Sequence, residues 1–423
     1  MLSLREITQE YLGALRYVEE IERDLRIGEY VDVFALIGPR RVGKTFSLLK
    51  KAEELLKSGK QVIYASFDEP SLRNVEVRRF AELVKKEYPE GRVYLFLDEV
   101  QEWKDWEFNL RWLHDVKDFR IYVSGSSSTL MSSEIPKRLR GRYVSRVLYP
   151  LSFREIARFE VRDFRGRGRV LRLLEDYLKW GGFPEVWTTK SREKIVSLLE
   201  TAFYRDVVER FGIRDVELFK SVFYFVLSNY SNSLSYRSLN QMLKDLGVEI
   251  DVKTLINYVN YVKQAFLLFT VDIFAHSQRR RMVNPKKLYV VDTSFANLFP
   301  SPLDVGRKME NLVFIELLRR KAPIAEISYY KMKDGREVDF VVSEAGQVKE
   351  LIEVSYRLER EHVSKVLDAL LELKLREGTI VTWDEEDSIR RGDKTVKVIP
   401  LWRWLLETQR PKPREEGSER YSG

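Results

Sequence analysis

Cysteine is absent from the 423 residues, and histidine occurs three times, as His114, His276 and His362. The first absence removes disulfides, thiol catalysis and thiolate metal sites together. The scatter of the histidines leaves no cluster to hold a metal. Long apolar runs are missing as well. None approaches the ~18 residues of a membrane span, and Met1-Leu2-Ser3-Leu4-Arg5-Glu6 lacks the basic-then-apolar order of a secretory leader. A cytoplasmic location without membrane contact is therefore expected. Disorder is excluded by composition, since 44% of residues are hydrophobic and 33% charged. The length suits about two to four domains. A net charge of +8 permits a nucleic-acid partner without demanding one.

What is present is sharper. Gly38-Pro39-Arg40-Arg41-Val42-Gly43-Lys44-Thr45 fits G-x-x-x-x-G-K-[ST] at every fixed position. An apolar strand (Val31 to Ile37) leads in and a helical pattern (Phe46 to Leu56) leads out, the context that marks a phosphate loop. Glycines let backbone N–H groups wrap a polyphosphate, and the helix N-terminus adds its positive dipole end. Lys44 would reach the β and γ phosphates, Thr45 would ligate Mg²⁺, and Phe46 closes the nucleotide-binding run.

Val93-Tyr94-Leu95-Phe96-Leu97-Asp98-Glu99 reads as a buried parallel strand carrying acids at its C-terminal edge. Asp98 would hold Mg²⁺, directly or through water, and Glu99 would orient the attacking water. A third strand, Ile121 to Val123, runs into Ser124-Gly125-Ser126-Ser127, where Ser124 and Ser126 are candidates for contact with the γ-phosphate or water. Lys137-Arg138-Leu139-Arg140-Gly141-Arg142 then offers guanidinium groups to stabilise transition-state charge, in cis or from a neighbouring subunit. Arg140 and Arg142 bracket a glycine and are the leading pair.

In this order, Gly38 to Thr45, Leu97-Asp98-Glu99, Ser124 to Ser127, Leu139 to Arg142 and Tyr149-Pro150-Leu151-Ser152-Phe153 resemble a prokaryotic AAA+-type ATPase family widespread in archaea. The resemblance implies a five-stranded parallel core, a helical lid, a winged-helix segment and a C-terminal domain similar to the PD-(D/E)XK nuclease fold. Expected boundaries are 1–150 for the core, 151–230 for the lid, 231–300 for the winged helix and 301–408 for the nuclease-like domain. Residues 409–423, with Pro411, Pro413 and many charges, read as a disordered tail.

Outside the motifs, residues 1 to 30 read as one or two helices, with Leu12, Leu15, Val18, Ile21 and Leu25 at near-helical spacing. Val100 to Trp103 read as the start of a helix carrying Trp106, Leu110 and Leu113. Trp180-Gly181-Gly182-Phe183-Pro184 reads as a packing turn between lid helices. From 235 to 291 a winged helix is expected, with helices Tyr236 to Leu246 and, after the Asp251 cap, through Lys263. Thr254, Asn257 and Tyr258 would face outward. Phe266 to Phe274 and Lys287 to Val291 would be wing strands, with Gln278-Arg279-Arg280-Arg281 at the tip. DNA is the partner such a module suits, and protein docking is the competing use.

The last domain places Glu310 on a helix, Asp339 on a strand and Glu353 in an E-x-K position. Ser355 stands where that pattern has lysine. Serine cannot supply the cation, so the resemblance implies a degenerate nuclease site, with Lys331, Lys333 and Lys349 as candidates for a migrated lysine. The expectation is an ATP- and Mg²⁺-dependent hydrolase coupled to DNA binding or remodelling, working as a homo-oligomer. The alternatives are an ATP-gated nuclease and a nucleotide-dependent signalling switch.

Overall fold

The computed structural model describes residues 3–125, 141–160, 166–299 and 305–407. Ser126, Arg138, Arg140 and the tail 409–423 lie outside the described residues.

Parallel strands need cover on both faces, and the apolar runs of the first half meet that demand. Strands β1 (Val33–Ile37), β2 (Gln61–Ser66), β3 (Val93–Asp98), β4 (Phe119–Gly125) and β5 (Tyr143–Val147) form one all-parallel sheet in the order β2-β3-β4-β1-β5. Alternate residues feed opposite cores: Phe34, Leu36, Tyr64 and Phe96 on one face, Val33, Ala35, Ile63 and Leu95 on the other. The helix Lys44–Lys57 covers the first with Leu48, Ala52 and Leu55. The helix Trp106–Val116 covers the second with Leu110 and Leu113. Because β4 lies between β1 and β3, the turns after those two strands end ~10 Å apart, with the end of β4 between them.

Two local expectations give way to tertiary packing. The N-terminal helix spans Leu4–Ala14 and tightens into a 3₁₀ turn, Leu15–Tyr17, so Val18 is exposed rather than part of a helical stripe. Past it Arg23 crosses the core, donating to the carbonyls of Val42 and Tyr149 and pairing with Glu155. After β3 the chain makes a 3₁₀ turn, Val100–Glu102, and the helix begins only at Trp106. Glu99 (φ 48) and Asp105 (φ 57) are both left-handed, which a continuous helix excludes.

Residues 153–228 are mainly helical: Phe153–Glu160, Arg167–Trp180, Pro184–Thr189, Arg192–Thr201 and Val216–Ser228, with a π-helical stretch at Ala202–Glu209. The Gly181-Gly182 turn does pack and reverse the chain. A Cβ on Gly181 would lie 1.7 Å from Asp292 Oδ1, and the Gly182 N–H donates to Asp292 Oδ2 at 2.7 Å. No larger residue fits.

The next unit comprises β6 (Ser233–Leu234), helices Tyr236–Asp245 and Val252–Gln264, and strands β7 (Leu268–Val271) and β8 (Lys286–Val290), in antiparallel order β6-β8-β7. Ser235 caps the first helix, and Asp251 accepts from the Lys253 and Thr254 N–H groups of the second. Three details differ from expectation. Tyr258 is buried edge-on against Phe219, because it continues the Leu255–Val259–Val262 stripe. Strand β7 is shorter than read, since Phe266 is left-handed and Ile273 already bridges to Tyr329 of the last domain. The basic tip is a short helix, Gln278–Val283, capped by Ser277.

The last unit sets helix Val305–Arg320 and helix Arg360–Glu372 about a six-stranded mixed sheet, β13-β14-β12-β11-β10-β9. Its strands are β9 (Ala325–Lys331), β10 (Glu337–Glu344), β11 (Gln347–Val354), β12 (Glu377–Thr382), β13 (Asp387–Arg391) and β14 (Lys394–Pro400). One apolar core joins it to the preceding helices, with Phe153, Tyr177 and Trp187 meeting Tyr289, Phe314, Phe340 and Trp404.

Candidate functional site

The loop after β1 is built around backbone that tolerates no side chain. Gly38 has φ +143, and a Cβ there would sit 2.2 Å from Leu148 O, because the Leu148 N–H donates to Ile37 O and draws the end of β5 against the loop. Lys44 opens the following helix and turns back under the loop, donating from Nζ to Pro39 O at 2.8 Å and Gly38 O at 3.0 Å. Its ammonium is buried, which lowers its pKa. The charge of Glu99, then that of Asp98, opposes that shift.

Three hydroxyls converge on Asp98. Thr45 Oγ1 donates to Oδ2 at 2.7 Å, Tyr64 OH to the same oxygen at 2.8 Å, and Ser124 Oγ to Oδ1. Burial raises the pKa of Asp98, the Glu99 charge adds to the rise, and the three donors oppose it. This is the geometry the strand order dictates. Thr45 follows β1, Ser124 ends β4 and Asp98 ends β3, so neighbouring strand ends supply the pieces. The left-handed turn at Glu99 redirects its carboxylate, which accepts from Gln101 Nε2 at 2.5 Å.

Lys44, Thr45 and Glu99 line a cavity of about 750 Å³ together with Tyr17, Val18 and Pro184. Arg40, Arg41, Val42, Gly43 and Phe46 also border it. One wall therefore comes from the N-terminal segment and another from the helices beyond the sheet. Neither is attached to any motif.

The two loop arginines face carboxylates from those helices. Arg40 Nε donates to Asp206 Oδ1 at 2.9 Å, and Arg41 pairs with Glu185 at 2.7 Å. Burial alone would lower the pKa of Arg40, but Asp206 reverses this and it lies above its ordinary value. Asp206 itself is raised, by burial first, with Arg40 and Lys44 opposing. Sequence reasoning missed both acids, since 166 residues separate Arg40 from Asp206.

Arg142 lies away from the loop of its own chain. It stands just before β5 and pairs with Asp115, and its carbonyl accepts from the Val33 N–H at the start of β1. The phosphate loop leaves the other end of β1, a strand length of ~17 Å away. Arg142 therefore cannot act in cis on this loop.

The three acids of the last domain do converge, but with cations the sequence did not nominate. Lys287, on β8, places Nζ 3.1 Å from Glu310 Oε1 and 2.8 Å from Asp339 Oδ1. Tyr289 OH donates to Glu310 Oε1 at 2.6 Å, and Lys365, on the helix after β11, pairs with Glu353. Burial first, then Asp339, raises the pKa of both Glu310 and Glu353. The proposed migrated lysines are elsewhere. Lys331 pairs with Glu337, Lys333 is exposed in the turn after β9, and Lys349 is exposed on β11. Ser355 Oγ donates to Arg357 O at 2.6 Å.

Among known protein families, an AAA domain matches residues 31–157, and two domains of unknown function (DUF8612 and DUF4143) match 171–304 and 305–404. An uncharacterized protein of Methanocaldococcus jannaschii is 30% identical over 423 residues, covering 95% of this chain and 94% of its own. An uncharacterized protein of Haemophilus influenzae is 27% identical over 388 residues, covering 88% and 93%. Of solved structures, AMPPCP-bound DnaA from Aquifex aeolicus aligns over 61% of this chain and 86% of its own, at 14% identity and a TM-score of 0.26. PCH-2 from C. elegans aligns over 61% and 67%, at 16% identity and a TM-score of 0.25. At such scores neither structure bears on what this chain does.

Proposed function

The chain belongs to the family of its Methanocaldococcus jannaschii relative and carries an AAA domain over residues 31–157, and from that premise we propose that it binds ATP with Mg²⁺, hydrolyses it, and couples the cycle to DNA. The observation that carries the reading is the Thr45–Asp98 hydrogen bond beside the enclosed Lys44. A hydroxyl and a carboxylate at that separation suit a hard cation with oxygen ligands. Thr45 would hold Mg²⁺ directly and Asp98 would hold it directly or through a water, and the ion would neutralise phosphate charge.

The remaining steps belong to the chain. Backbone N–H groups of 40–45 wrap the phosphates, and Lys44 exchanges its carbonyl partners for β and γ oxygens. Glu99, at the cavity edge, accepts a proton from the attacking water and aligns it with the γ-phosphorus. Tyr64 and Ser124 hold Asp98 in place. Leu15, Tyr17 and Val18 offer an apolar wall for the base. Arg142, paired with Asp115, would serve a neighbouring copy's phosphates, and the active form would then be a homo-oligomer.

We assign 1–150 to the ATPase core, 151–230 to the lid, 231–300 to a winged helix and 301–408 to a nuclease-like domain without cleavage activity. Exposed Lys253, Asn257, Arg279 and Arg280 support DNA as the winged segment's partner. Met282 and Val283, 78% and 70% exposed at the same tip, favour protein docking as the second reading.

ATP turnover with and without DNA separates these. DNA is expected to raise a rate that Lys44→Ala abolishes and Glu99→Gln lowers by ~10²–10⁴-fold. Turnover indifferent to DNA would favour the docking switch. Turnover that survives Lys44→Ala would overturn the site.

A further inference from the structure

A nuclease-like domain implies a divalent cation among its acids, and here the residues do not fit one. The position between Glu310 and Asp339 is taken by Lys287 Nζ, whose side chain is 8% exposed. Three further acid oxygens are also engaged. Asp339 Oδ2 accepts the Val354 N–H at 2.9 Å, Glu353 Oε2 accepts the Asp339 N–H at 3.4 Å, and Glu353 Oε1 accepts from Lys365. Among the described residues, no three acids or histidines are grouped to hold a metal ion.

Lys287 does not belong to the C-terminal sheet. It lies on β8, between Ser233 of β6 and Val271 of β7 in the small antiparallel sheet, and reaches across to helix Val305–Arg320 and β10. Three carboxylates enclosed together need positive charge nearby, and two lysines bring it from separate elements. An ammonium and a divalent ion repel too strongly at such range to share the position.

We propose that Lys287 is the resident cation of this site, standing where a nuclease of this fold would hold its metal. The small sheet thereby locks the last domain in a metal-free form and is anchored to it by the same contact. This rests on reading that domain as nuclease-like.

The test is a Mn²⁺ titration of the nucleotide-free full chain, followed by electron paramagnetic resonance. Wild type should bind no Mn²⁺ that Asp339→Asn removes. Lys287→Ala should bind it at least tenfold more tightly, the gain should vanish when Asp339→Asn is added, and Lys287→Arg should not acquire it. Wild-type Mn²⁺ binding that Asp339→Asn abolishes would overturn the proposal, as would a folded Lys287→Ala without the gain. Circular dichroism melting reports folding. Should Lys287→Ala fail to fold, Lys287→Met keeps the stem's packing and carries the same comparison. Mn²⁺-dependent DNA cutting by wild type would refute the inactive reading itself, whereas a missing gain refutes only the lysine's role.

Discussion

Asp98, the proposed Mg²⁺ holder, illustrates how a single buried acid can stand at the expense of stability. Burial and the neighbouring Glu99 raise its pKa above the unfolded value. Folding therefore draws a proton toward it, and its ionised form costs stability at any pH above the raised value. That cost fades as pH falls through it. Asp98→Asn removes the charge while keeping the shape. Without nucleotide it is expected to melt above wild type by roughly 2–4 °C near neutral pH, with the margin shrinking toward ~pH 4. Turnover should be lost in the same variant. Melting curves across pH check the first expectation, and a margin that grows on acidification would contradict it.

Among the elements, the π-helical stretch Ala202–Glu209 stands out, because such distortions are common at functional positions. It carries Asp206 to the phosphate loop, where it pairs with Arg40. If Arg40 exchanges this partner for a phosphate oxygen when ATP binds, the helices beyond the sheet are released in step with the nucleotide. Asp206→Asn would then remove a competitor and tighten binding of a fluorescent ATP analogue while slowing turnover. Weaker binding together with a lower melting temperature would make the pair plain scaffold.

The whole molecule joins its sheets through shared apolar cores and through ion pairs between distant segments. The proposed DNA contact belongs to this scale, since phosphate binding releases counterions and depends on how many cations meet the duplex at once. Replacing both Arg279 and Arg280 with alanine should weaken DNA binding across sequences and flatten the salt slope by ~0.9 for each phosphate left unneutralised. Affinity against salt concentration measures this. An unchanged slope would remove the tip from the interface and shift weight to its exposed Met282 and Val283.

Local chemistry was legible in the amino-acid order. Gly38 to Thr45 form a loop because adjacent residues supply its turns and its lysine. Leu97-Asp98-Glu99 ends a buried strand because apolar residues run unbroken into two acids. The helix cap at Asp251 was readable for the same reason. Whatever depends on distant segments meeting was set by the fold instead. Val18 left its helical stripe, Tyr258 turned inward, and Arg142 fell at the far end of β1, all through packing that no neighbouring residue encodes. Asp206 met Arg40, and Lys287 met Glu310 and Asp339, across separations that carry no periodic signal. Ionic contacts of this kind require only that two side chains arrive at one place, and the route of the backbone, set by the burial of the sheets, brings them there.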